Sequence, residues 1–95
     1  MNLKNLHTEN KPVQTKILFS TVEGKVISLQ IGAGEHLKEH LSKVAVLLVC
    51  VSGNAIYKEE NGTTIELKSG DFVNIEADVK HSVDAIAESN FLLIK

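Results

Sequence analysis

Short apolar runs alternate with compact polar breaks along the whole chain, and nine such runs can be marked. They cover residues 15–21, 25–31, 37–40, 44–51, 55–60, 63–68, 72–75, 80–86 and 90–94, and most are rich in Val, Ile, Leu or Thr. Glycines at 24, 32, 34, 53, 62 and 70 punctuate the spaces between them. Short β-rich runs at this spacing, with turn residues in the gaps, predict a sandwich or barrel and not a helical bundle. No stretch holds a 3.6-residue period beyond two turns. The nearest is 36–43, where Leu37 and Leu41 stand four apart, but two glycines lie just before it.

Within this frame the runs differ. Residues 44–51 are apolar at both parities, which predicts a strand buried on both faces. Residues 63–68 alternate polar with apolar and predict a strand with one wet face. Between 55–60 and 63–68 lies Glu60-Asn61-Gly62-Thr63, where Asn-Gly suits the centre of a type I′ turn and so predicts a tight hairpin. Glu59 and Glu60 before it read as a solvated face. Asp71 after Gly70 reads as a turn cap, and Tyr57 and Phe72 as core aromatics. Residues 1–14, closed by Pro12, form a flexible segment or an arm exchanged between protomers, with 13–19 as the stretch to exchange. Residues 15–95 make one domain.

Composition narrows the function. A chain of 95 residues supports a single core, which is marginal at this size. Hydrophobic residues at 43% and charged ones at 23% supply enough apolar surface to fold. The net charge of −2 gives no long-range attraction for nucleic acid or anionic lipid, and all ten basic residues are Lys. Without Arg, the side chain best suited to bidentate phosphate and guanine contacts is missing, so no nucleic-acid partner is expected. Cys50 is the single cysteine and can form no internal disulfide. The first eleven residues carry no apolar segment of the secretory kind. The longest apolar run has eight residues, against about 20 for a membrane span. These features predict a cytoplasmic protein with no membrane partner.

Two spacings then carry specific information. Gly34, five residues, His40, one residue, Ser42, three residues, Val46, six residues and Gly53 form one series. Gly70, five residues, Glu76, one residue, Asp78, two residues, His81, three residues and Ala85 form another. In register this resembles the two motifs of the cupins, with three glycines and two histidines in place. The 16 residues between them suit the short spacer of small microbial cupins. The resemblance spans residues 25–94 and implies an all-β RmlC-like fold, a double-stranded β-helix or jelly-roll barrel. It also implies a homodimer, since small cupins usually pair their sheets across a two-fold axis.

The departures bear on chemistry. The family holds a divalent metal with two histidines and a glutamate of the first motif and one histidine of the second. Here only His40 and His81 remain, while Ser42 and Val46 replace the others. Two imidazoles fall short of the three protein ligands that catalytic zinc and iron sites use. His36 shares strand parity with His40, yet four residues of extended chain span roughly 13 Å, too far for one ion without a sharp bend. Cys50, among valines, reads as an inert buried thiol. Ser82 and Asp84 alternate away from His81 and build no triad with it.

Two functions follow. The first is binding or sensing of an unidentified small molecule in a mainly apolar barrel pocket, without metal, formed by His40, Ser42, Val46, Leu48, Cys50, His81 and Val83. Val79 shares the parity of His81 and extends the same wall. The second is a divalent-metal-dependent enzyme of oxygenase or isomerase type that uses His40 and His81 as ligands. The residues leave open whether the chain is catalytic.

Overall fold

The computed structural model describes residues 1–95. Nine strands follow one helical turn, α1 (Leu3–Leu6). They are β1 (Val13–Ser20), β2 (Lys25–Ile31), β3 (His36–His40), β4 (Val46–Ser52), β5 (Asn54–Glu59), β6 (Thr64–Lys68), β7 (Phe72–Ile75), β8 (His81–Ala85) and β9 (Ser89–Ile94). Each corresponds to one of the nine runs, and β2 and β7 have the expected limits. The segment from His36 is strand and not helix. Its alternate side chains reach different faces, and the paired strand β8 supplies backbone partners that an isolated helical turn would lack.

The strands form two antiparallel sheets, ordered β1-β2-β9-β4-β7 and β3-β8-β5-β6. Between them lies a core of twelve buried hydrophobic residues. Leu29, Leu48, Cys50, Ile75 and Phe91 come from the first sheet, and Ala55, Tyr57, Leu67 and Val83 from the second. This is the sandwich or barrel expected from the run pattern, in the jelly-roll form that the cupin resemblance implies. No helix is long and apolar enough to cross a membrane.

Three local expectations are corrected. The 59–63 hairpin forms, but Asn61 does not take a positive φ, and only Gly62 does, at 96°. Gly62 N–H donates to Glu59 C=O at 3.0 Å, and Glu59 N–H to Thr63 C=O at 2.9 Å. That is a type I turn closed by a left-handed glycine, the three-residue hairpin alternative to type I′. Asn61 instead uses its side chain, whose Oδ1 accepts Thr63 N–H at 2.9 Å. Strand β4 is buried on one face and not two. Val46, Leu48 and Cys50 point inward, Leu47 and Val49 are half-buried, and Val51 is exposed. The outer face of its sheet is only partly covered, so apolar residues at both parities do not imply burial of both. Phe72 lies on that outer face, 60% exposed, outside the core.

The amino-terminal segment lies against the outer face of the first sheet. His7 Nε2 meets Ser28 Oγ at 2.8 Å, and Gly32 N–H donates to Pro12 C=O at 2.9 Å. Beside them, Gln30 Nε2 donates to Asn90 Oδ1 at 3.0 Å, and Asn90 Nδ2 to Ser52 Oγ at 3.2 Å. The segment thus roofs a buried polar row whose members satisfy one another.

Candidate functional site

His40 ends β3 and His81 begins β8, and the two strands pair in register at these residues. The next paired residues are Leu37 and Val83, so two residues of β3, Lys38 and Glu39, stand opposite Ser82 alone. This bulge reverses the parity of β3 between Leu37 and His40. Leu37 and His40 therefore both face inward, three apart, while His36 pairs with Asp84 on the outer face. The parity shared by His36 and His40 in sequence does not survive in the fold, and His36 is exposed.

The bulge brings the two imidazoles together, with ring centroids 4.4 Å apart and planes tilted by 58°. Each ring is tied back in the same way. His40 Nδ1 donates to Lys38 C=O, and His81 Nδ1 to Val79 C=O, both at 2.9 Å. A carbonyl can only accept, so the proton sits on Nδ1 and Nε2 is left as the free ring nitrogen of each. His81 is only 4% exposed, whereas His40 is exposed. Burial pushes the His81 pKa down first, and the neighbouring His40 adds to this. The Val79 carbonyl and Glu59 oppose both without reversing the shift.

Two further residues complete the cluster, Tyr57, which reads from the sequence as a core aromatic with pocket lining as the alternative, and Glu59, which reads as solvent-facing. Tyr57, fully buried, lies with its ring 5.8 Å from that of His81. Its hydroxyl donates to Glu59 Oε2 at 2.7 Å, and Glu59 pairs across the strands with His81. Burial and then the Glu59 carboxylate push the Tyr57 pKa well above its usual value. Glu59 is thus an inward, half-buried acceptor, and only Glu60 fits the solvated face expected of both. The signal was present in the parity of Ala55, Tyr57 and Glu59 along β5, since the first two are core residues.

The remaining candidate residues separate. Val46, Leu48, Cys50 and Val83 are packed into the core. Burial, and secondarily Asp71, push the Cys50 thiol pKa up, which disfavours the thiolate. Ser42 lies in the loop before β4, where its carbonyl accepts Asp78 N–H at 2.8 Å. Val79 precedes β8 and contributes its carbonyl to His81. Asp84 pairs with Lys58 at 2.9 Å on the outer face, away from His81 as its parity required. Asp71 Oδ2 accepts Lys68 N–H at 2.8 Å and caps its turn.

An open cleft of about 410 Å³ lies at the barrel mouth between β1, β2, β9 and β3. Ile17, Ile27, Leu29, Leu37 and Leu93 form its apolar wall, and His40 stands within its lining. Of the seven pocket residues expected from sequence, His40 is the one that reaches this cleft.

The donor set does not fit the divalent metal that the cupin motifs imply. Nowhere do three or more His, Cys, Asp or Glu side chains gather so that they could hold an ion. Val46 fills the place of the family glutamate with a core side chain, and Ser42 lies outside the pair.

No protein-family profile matches the chain, and no curated protein does either. Solved structures do. A cupin superfamily protein from Desulfitobacterium hafniense superposes with a TM-score of 0.86 at 16% identity, covering 98% of this chain and 84% of that one. A cupin-like protein from Thermotoga maritima gives 0.78 at 24% identity over 87% and 67%. KdgF from Halomonas sp. gives 0.83 at 18% identity over 99% and 87%. With two antiparallel sheets in jelly-roll order and neighbours of this kind, the chain has the fold of the RmlC-like cupins, the double-stranded β-helix.

Proposed function

We propose that this protein is a small-molecule-binding or sensing cupin that works without a metal, and that its ligand occupies the cleft at the barrel mouth. The observation that carries this is an open space of about 410 Å³ with an apolar wall and one free imidazole nitrogen at its side. Small-molecule sites are typically concave and mostly apolar, of about 300–1,000 Å³, with a few polar groups that orient the ligand. The test is titration with a neutral apolar dye, N-phenyl-1-naphthylamine, against wild type and Leu37→Trp, which fills the cleft. Saturable fluorescence in wild type that is lost in Leu37→Trp supports the proposal. Equal fluorescence from both proteins overturns it.

A second function, a divalent-metal-dependent enzyme, is favoured by one observation, the pair of Nε2 atoms left free by the backbone-tethered rings. Elemental analysis of untagged protein beside a His40→Ala, His81→Ala double variant decides between the two. Stoichiometric metal that vanishes in the variant would overturn the first function and make oxygenase- and isomerase-type activity the next assay.

We further propose a cytoplasmic homodimer. The outer face of the first sheet leaves Phe19 and Phe72 more than half exposed, and Ile94 between them is also exposed. Monomer mass in light scattering across a hundredfold range of concentration would refute the dimer.

A further inference from the structure

Independently of the apolar cleft, we infer a second site at the same end of the barrel, an anion site for a small molecule that carries at least two negative charges on oxygen. It is a cleft of about 420 Å³ between the β1–β2 loop (residues 21–24) and the β3–β4 loop (residues 41–45). The side chains along it include three ammonium groups, Lys25, Lys43 and Lys95, against one carboxylate, Glu23.

Strand register brings two of these lysines together. Lys25 N–H donates to Lys95 C=O at 2.6 Å, and Lys95 N–H to Lys25 C=O at 3.0 Å. They therefore extend the β2–β9 ladder as a directly opposed pair. Opposed residues project to one face, here the face of Ile27 and Leu93. Ser20 pairs with Lys25 from β1 and joins the same row. Like charges directly opposite one another destabilise a ladder. No carboxylate side chain relieves them, since the three ion pairs of the molecule are Lys11–Glu9, Lys43–Asp78 and Lys58–Asp84. An anion held between the two ammonium groups replaces their repulsion with two attractions.

Lys43 supplies the third charge from the opposite loop. Its contact with Asp78 is 3.8 Å long, between side chains that are 88% and 65% exposed, and an exposed pair of this kind holds neither partner firmly. Ser42 Oγ accepts Val44 N–H at 3.3 Å and keeps its own proton to donate into the cleft it borders. Glu23 offsets one of the three ammonium groups, which leaves two for a ligand to match. Lysine binds phosphate as a point charge and needs no arginine beside it. A phosphate ester and a dicarboxylate present the same charge to these groups, and the cleft has the volume of a small-molecule site.

The experiment is isothermal titration of the full chain with pyrophosphate and, separately, with malonate, at pH 7.5 and constant ionic strength so that screening does not vary. Saturable one-to-one binding of at least one probe is expected, and the tighter probe identifies the chemistry of the ligand. Lys25→Gln and Lys43→Gln keep the chain length of the side chain, remove one charge each, and should each weaken binding at least tenfold. Lys68→Gln, on β6 and outside the cleft lining, should leave it unchanged. In low-salt buffer without either probe, Lys25→Gln should also raise the urea midpoint, because its repulsion with Lys95 is gone. Binding of neither probe to folded wild type would overturn the site. So would binding that survives in both cleft variants, an equal loss in Lys68→Gln, or a midpoint that fails to rise. Each of these results leaves the apolar cleft and its neutral-dye test untouched.

Discussion

Replacing Tyr57 by Phe removes one oxygen from the point where the core meets the histidine pair. The ring is fully buried and its packing is unchanged by the substitution, so no cavity term enters. What is lost is the 2.7 Å hydrogen bond to the Glu59 carboxylate. A hydrogen bond to a charged group contributes about 1.5–3 kcal/mol to stability. Glu59 is half-buried and regains water when the hydroxyl leaves, which places the expected loss near the lower end, about 1.5 kcal/mol. With a urea m-value of about 1–1.5 kcal/mol/M for a domain of this size, the midpoint should fall by about 1 M. Glu59→Ala and the double variant close a thermodynamic cycle, and a coupling of about 1 kcal/mol is expected between the two positions. An unchanged midpoint in Tyr57→Phe, or additive effects in the cycle, would show that the bond contributes nothing in solution. The placement of Glu59 as an inward acceptor would then be wrong.

Other expectations follow from the same packing. Gly53 has φ of 115°, and an added Cβ would lie 2.6 Å from Ser89 Cα, so Gly53→Ala combines backbone strain with overlap. A loss of about 2–4 kcal/mol is expected from urea unfolding, and a loss within error of zero would contradict the close approach of β9 at this point. His81 and His7 both have lowered pKa values in the folded chain, chiefly through burial. Near pH 6.5 the unfolded chain binds more protons at these sites than the folded chain does. Their contribution is therefore complete above that pH and declines as the pH falls through and below it. The urea midpoint should drop between pH 7.5 and 5.5, and His81→Phe should flatten the slope; an identical slope in that variant would remove His81 as its source. Cys50 is fully buried with a raised thiol pKa, so a thiol reagent should react with it only after unfolding. Rapid labelling of native protein at pH 8 would refute that.

Much of the fold was legible in the sequence because a strand announces itself locally. Runs of β-branched residues between glycines need only near neighbours to be recognised, and all nine runs became strands. The errors arose where a single residue changed the count. The hairpin depended on whether Asn61 or Gly62 took the left-handed conformation, and the side chain of Asn61 preferred to accept Thr63 N–H. The parity of His36 depended on a bulge, which arises from pairing with β8 and leaves no mark in the local pattern. The site was legible only through the register of His40 and His81 within the cupin-like motifs. Glu59 lay between those motifs, and its charge invited a solvent-facing assignment that the parity of Ala55 and Tyr57 opposes.

The bulge at Lys38 and Glu39 has a bearing on how such a site changes over generations. With one residue removed there, the carboxy-terminal half of β3 would advance by one position against β8. His40 would then turn to solvent, and the barrel mouth would lose its one accessible imidazole without any substitution in the site. With the residue present, the strand carries one histidine on each side, His36 outward and His40 inward. A single-residue deletion in this strand would thus remove polar character from the mouth of the barrel while every side chain of the site stayed the same. A change of length, commonly dismissed as a loop adjustment, can here be a change of ligand.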